Sequence, residues 1–140
     1  MQTLLNKIHY KKHTIGVIGL GYVGLPLCLR IIKNKIKVVG VDIDINKVNN
    51  LKNGKSYISD IKNNKLNYFK KNKHVISTNY EILKTADIII ICLPTPLKNN
   101  LPDLSFLEKA FSQIKKILKK KHVIILESTV YPGVTRNLSK

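Results

Sequence analysis

The string GLGYVG at residues 19–24 constrains this chain more than any other feature. It follows directly on Thr14–Ile18, a β-branched apolar run of the kind that forms a buried strand. It leads into residues 22–33, where apolar residues recur over a length suited to a helix, with Pro26 in the first turn. Few architectures turn a strand through three glycines into a helix. Gly19 permits the tight turn, Gly21 lets the backbone approach a pyrophosphate, and Gly24 lets the helix pack closely on the strand. The positive end of that helix and its free N–H groups would then hold phosphates. A lone motif of this form also describes a glycine-rich turn with no ligand; the strand before it and the helix after it favour the phosphate site.

The same alternation continues along the chain. Strands are expected at residues 36–41, 74–77, 88–92 and 123–126, of which 88–92 is the most strongly apolar. Between them, 46–53 reads as a short helix stopped by Gly54, and 59–66 as a polar helix. Thr78-x-x-Glu81 has the form of a capping box opening a short helix to Lys84, and Asp103 or Ser105 can cap a helix running to about Lys119. Helices alternating with strands imply an α/β, doubly wound parallel sheet of the Rossmann-like kind. Five strands are visible where the full fold has six, so the expectation is a domain over 14–140 that is incomplete, cut before its last strand, with an N-terminal extension over 1–13. An uncovered hydrophobic sheet edge then makes the isolated chain prone to aggregate.

Asp42 closes the second strand, 18 residues after Gly24, where this fold places the acid that bonds the adenosine ribose. A carboxylate there repels a 2′-phosphate and no Arg is near it in sequence, so the expected cofactor is NAD and not NADP. Asp44 serves the ribose or only caps the next helix. Thr95, in the proline-stiffened turn CLPTP, leaves the fourth strand at the end where ligands bind. Glu127-Ser128-Thr129 leaves the fifth strand at the same edge, its hydroxyls either facing the cofactor or forming a helix cap and turn.

The charge of +17 raises the question of nucleic acid. Of the 25 basic residues 23 are Lys, only Arg30 and Arg136 are Arg, and 14 Asn and 20 Ile accompany them, a compositional bias and not a base-reading surface. The lysine clusters at 70–73 and 119–121 read as solvated helix ends. No stretch is apolar for long enough to span a membrane, and the first residues resemble neither a secretory signal nor a transit peptide. A cytoplasmic protein with no specific nucleic-acid or membrane partner is expected. Cys28 and Cys92 read as reduced, buried thiols; His9 and His13, four apart, could share a helix face but lack a third metal ligand.

Five segments, IGVIGLGYVGLPL (15–27), VVGVDID (38–44), CLPTPL (92–97), PDLS (102–105) and ESTVYPG (127–133), resemble in order and spacing the N-terminal domain of UDP-glucose/GDP-mannose dehydrogenases. The wording of the last three is most similar to the branch that oxidises UDP-N-acetylhexosamines to uronic acids for polysaccharide synthesis. The resemblance implies an NAD-dependent oxidation of a sugar C6 alcohol through a thioester on a cysteine. It implies that Tyr22 and Val23 lie along the pyrophosphate and that Asp42 and Lys47 hold the ribose. Thr95 and Thr129 match cofactor-side positions, Thr129 also close to the catalytic water. The nucleophilic cysteine and the central and C-terminal sugar-binding domains have no counterpart here, so this chain alone is expected to be inactive, and full-length relatives to be homo-oligomers. The alternatives are an NAD-binding module without catalysis and a basic nucleic-acid-binding protein.

Overall fold

The computed structural model describes residues 3–70 and 74–138. Five aliphatic segments pair in parallel: β1 (Thr14–Ile18), β2 (Lys37–Val41), β3 (Val75–Ser77), β4 (Ile88–Ile91) and β7 (Val123–Leu126). Their order across the sheet is β3-β2-β1-β4-β7, with Ile15 opposite both Val38 and Ile88. The chain therefore runs outward from β1 to β3, crosses back, and runs outward again through β4 to β7. The reversal lies between β1 and β4, the place where an open α/β sheet leaves a crevice at its carboxyl edge.

Helices cover both faces. Helix α2 (Gly24–Lys33) and helix α3 (Ile45–Lys52) join one core with Val17, Val38 and Ile76. Helix α5 (Ser105–Ile117) packs on the other face with Ile18, Val39, Ile89 and Ile91. Strand β4 is isoleucine at all four positions because it is apolar on both sides: Ile89 and Ile91 join the α5 core while Ile88 and Ile90 pack toward α2. At the end of the sheet β7 is less covered. Ile124 and Leu126 pack toward α5, whereas Val123 and Ile125 are exposed on the opposite face.

The amino ends of the strands are tied together by a buried acid. Asp87 accepts from the Thr14 N–H at 3.0 Å and from Lys7 Nζ at 2.7 Å, with Lys121 Nζ at 4.0 Å. Lys7 belongs to α1 (Leu4–His9), a turn and a half of helix that the 1–13 extension did not announce. The helix stops at His9, so His9 and His13 do not share a helix face; His13 is buried, its ring nitrogen on the Lys7 carbonyl. Among the described residues no group of three metal-ligating side chains occurs, and no helix is long and apolar enough to cross a membrane.

Several expected elements shift. Helix α2 starts at Gly24, not at residue 22, because Tyr22 and Val23 remain in the turn. No helix spans 59–66: a 3-10 turn at Asn63–Leu66 runs into α4 (Asn67–Lys70). The side chain of Asn63 accepts the Ser56 N–H, and the Ser56 hydroxyl bonds Ile58, so local polar side chains compete with helical pairing there. The cap before Tyr80–Thr85 is Asn79, which accepts from Glu81 N–H at 2.8 Å, and not Thr78. Asp103, of the two candidates, accepts from the Ser105 N–H at 2.9 Å, and α5 ends at Ile117, short of Lys119. A small hairpin, β5 (Leu97–Lys98) with β6 (Leu101–Pro102), turns through Asn99 and Asn100 at positive φ. The chain ends its described course in α6 (Val134–Leu138). Of the lysine cluster at 70–73, residues 71–73 lie outside the described residues; Lys119, Lys120 and Lys121 are exposed.

Candidate cofactor-binding site

A cleft of about 650 Å³ opens at the carboxyl ends of β1, β2, β4 and β7. Eight of the nine residues singled out from the sequence line it: Gly19, Gly21, Tyr22, Val23, Asp42, Lys47, Thr95 and Thr129. The ninth, Gly24, sits beneath it.

The three glycines are each glycine for a different reason. Gly19 holds φ +87°, and a Cβ there would lie 2.6 Å from the Cys92 carbonyl oxygen, across the switch point. A Cβ on Gly24 would lie 1.8 Å from the Gly19 carbonyl oxygen, so the start of α2 is pressed against the turn. A Cβ added at Gly21 would meet nothing within 4 Å. The first two glycines are required by protein packing. The third faces vacant space, which is the observation a phosphate cradle calls for.

Side chains from β2 and beyond hold this loop. Asp42, buried at the end of β2, accepts from the Leu20 N–H at 2.8 Å and, through its other oxygen, from the Asp44 N–H at 3.0 Å. Each carboxylate oxygen therefore keeps a lone pair for a ribose hydroxyl. Lys47 Nζ stands 3.7 Å from Asp42 Oδ2. Asp44 caps α3, its Oδ1 accepting from Asn46 N–H at 2.9 Å, and it also lines the cleft. Tyr57, which sequence reasoning missed, donates its hydroxyl to the Leu20 carbonyl. Its burial, and then the charge of Asp42, push that hydroxyl well above the usual phenol range. Ile43 and Phe106 add exposed apolar surface to the cleft wall.

On the opposite wall two loops are laced together. The Ser128 hydroxyl accepts the Leu93 N–H at 3.1 Å and donates to the Leu93 carbonyl at 2.7 Å. The Thr95 hydroxyl donates to the Thr129 carbonyl at 2.7 Å, while Thr129 itself is exposed at the mouth. Of the hydroxyls at 127–129, Ser128 thus bonds within the protein. Neither cysteine is a poised nucleophile. Cys28 is fully buried, which pushes its thiol far up; Cys92 is half-buried, and burial followed by the Glu127 charge pushes it up to about 11.

Residues 13–140 match the NAD-binding domain of the UDP-glucose/GDP-mannose dehydrogenase family. The chain belongs to that family. This NAD-binding domain is 44% identical over 123 residues to Protein CapL of Staphylococcus aureus, covering 86% of this chain and 28% of CapL. It is 40% identical over 128 residues to a UDP-N-acetyl-D-mannosamine dehydrogenase of Campylobacter jejuni, covering 90% and 31% of the two chains. Among solved structures it superposes on a UDP-D-ManNAc dehydrogenase from Pyrococcus horikoshii with a TM-score of 0.81 at 32% identity, over 89% of this chain and 30% of that one. A ternary complex of GDP-mannose dehydrogenase from Pseudomonas aeruginosa gives 0.82 at 28% identity, over 89% and 30%. The chain thus spans about 30% of the length of the relatives it matches. The cofactor of the domain is NAD, and the open position at Gly21 with the buried carboxylate of Asp42 beside it fits that cofactor.

Proposed function

We propose that this chain is the NAD-binding portion of a nucleotide-sugar 6-dehydrogenase that converts the C6 alcohol of a UDP-N-acetylhexosamine to a uronic acid. The observation that carries the reading is the cleft itself. An unfilled space over Gly21 at the head of α2 stands beside a buried carboxylate that still has ribose-facing lone pairs. The sugar class is supported by the relatives, which include the mannosamine enzyme above and a UDP-N-acetyl-D-glucosamine 6-dehydrogenase of Pseudomonas aeruginosa, 37% identical over 122 residues.

In this reading the N–H groups of Gly21, Tyr22 and Val23, at the positive end of α2, receive the diphosphate. Asp42 accepts from the adenosine ribose hydroxyls, with Lys47 beside it balancing the charge. Thr95 and Thr129, across the cleft, face the other half of the dinucleotide, and the exposed Thr129 hydroxyl holds a water there. NAD, when bound, supplies the hydride acceptor. Two raised thiols leave the nucleophile, like the sugar-binding surface, to other parts of a protein of the relatives' length. The setting proposed is the cytoplasm, with a UDP-sugar as substrate and a homo-oligomer as the complete enzyme.

The test is calorimetric titration of the chain with NAD and NADP, followed by incubation with NAD and UDP-N-acetylglucosamine, UDP-N-acetylmannosamine, UDP-N-acetylgalactosamine or UDP-glucose. NAD binding preferred over NADP, with no sustained NADH production, is the expected result. Equal affinity for the two dinucleotides overturns the Asp42 assignment, and multiple turnover overturns the placement of the missing chemistry outside this chain.

A further inference from the structure

We infer that Tyr57 is a positioning residue for the dinucleotide diphosphate, setting the orientation of the peptide between Leu20 and Gly21; the inference rests on the NAD reading above. Tyr57 comes from the stretch after α3 that has no helical or strand periodicity, 37 residues from the loop it touches. Its hydroxyl donates to the Leu20 carbonyl at 2.5 Å, while the Leu20 N–H is taken by Asp42 Oδ2 at 2.8 Å. Both backbone polar groups of Leu20 are therefore fixed by side chains from two other segments.

That pair of bonds has a geometric consequence for the next residue. A trans peptide is planar, with its C=O and N–H pointing in opposite directions, and among the described residues no peptide is cis. Drawing the Leu20 carbonyl onto Tyr57 turns the Gly21 N–H to the other side of the loop. A Cβ added at Gly21 would meet nothing within 4 Å, so the loop is open there for an anion to approach that N–H. A flip of the same peptide would present a carbonyl oxygen to a phosphate instead of an N–H. Glycine tolerates both conformations, so Gly21 alone does not prevent the flip. Tyr57 supplies the missing restraint. A phenol is protonated throughout the neutral range and burial pushes this one further up, so the hydroxyl stays a donor. Its ring also lies 6.0 Å from Lys47 Nζ, which stands 3.7 Å from Asp42, so one side chain underpins the phosphate and the ribose ends of the same subsite.

The experiment compares the parent chain with Tyr57→Phe, which keeps the ring and removes only the donor. NAD and adenosine are titrated into each, and unfolding of the ligand-free proteins is followed by circular dichroism. Loss of one hydrogen bond that orients a binding group is expected to weaken NAD by about three- to tenfold. Adenosine, which lacks the diphosphate, should bind both proteins alike. A folded Y57F chain with parental NAD affinity overturns the inference, as does equal weakening of NAD and adenosine, which marks general loosening. A parent chain that binds no NAD overturns the reading on which the inference rests and the inference with it. Should Y57F fail to fold, amide hydrogen exchange of the parent decides. Protection of Gly21 on adding inorganic diphosphate supports the placement, and an unprotected Gly21 beside a protected Tyr22 overturns it.

Discussion

Alanine at two glycines of the same loop should separate folding from binding. At position 24 the added methyl would sit 1.8 Å from the Gly19 carbonyl oxygen and 3.0 Å from its carbon. Both obstacles are backbone, so no rotamer change relieves them, and α2 has to retreat by roughly an ångström or more to restore contact distance. That helix carries Leu25, Cys28, Ile31 and Ile32 into the core. Overpacking of this kind costs about 1–3 kcal/mol, and the immobile obstacle puts Gly24→Ala near the upper end. At position 21 the methyl meets nothing within 4 Å and the backbone is not left-handed, so Gly21→Ala should change stability by about 0.5 kcal/mol or less. The same methyl occupies the space the diphosphate needs. Losing one charge-assisted hydrogen bond, about 1.5–3 kcal/mol, corresponds to roughly a 10- to 150-fold loss of NAD affinity. Urea unfolding followed by circular dichroism reads the first effect and calorimetric titration the second. A Gly24→Ala chain as stable as the parent, or a Gly21→Ala chain that binds NAD like the parent, would refute the division of labour among these glycines.

Asp42→Ala should cost about 2–4 kcal/mol in urea unfolding, since it orphans the buried Leu20 N–H and frees Lys47, and it should narrow the gap between NAD and NADP in parallel titrations. Against its burial, which pushes the carboxyl up, the Lys7 ammonium and the Thr14 N–H hold Asp87 below the usual carboxylate range. A depressed carboxyl stabilises the fold above its unfolded pKa, about 4, and that contribution is lost as pH falls through the lower folded value. Lys7→Met, at a partly exposed amine, should therefore lose about 1 kcal/mol at neutral pH and converge on the parent in acid, as unfolding curves across pH will show. In native protein a disulfide reagent should label Cys92 slowly and Cys28 only after denaturant is added; fast labelling of either at neutral pH contradicts the burial.

The sheet was legible because its residues answer to one rule. Parallel strands buried on both faces must be apolar, as Ile88–Ile91 is, and short β-branched runs also mark Thr14–Ile18 and the edge strand Val123–Leu126, which is covered on one face. The glycine loop was equally plain, since its spacing is set by backbone contacts. What escaped was held by side chains reaching across the fold. Tyr57 belongs to a segment shaped by Ser56 and Asn63 bonding nearby backbone, which leaves no period to read, and its partner Leu20 is far off in sequence. Ser128 looks in sequence like an ordinary cap, and only the neighbourhood of β4 and β7 makes it a link to Leu93. The cap at Asn79 in place of Thr78 is a choice between two adjacent side-chain oxygens one residue apart, which the spacing to Glu81 alone does not distinguish.

The Ser128 link carries a consequence for how the mouth of the cleft responds to change. Backbone pairing between β4 and β7 ends when Glu127 N–H meets the Ile91 carbonyl at 2.9 Å. One hydroxyl then both takes and gives a hydrogen bond at Leu93, acting as an extra rung made from a side chain. The Thr95 bond to the Thr129 carbonyl adds a second crossing. Two loops that would otherwise have independent degrees of freedom are reduced to one, because neither can swing without breaking bonds to the other. Thr95→Val and Ser128→Ala, which each remove one crossing, should accordingly fail to add in a double-mutant cycle.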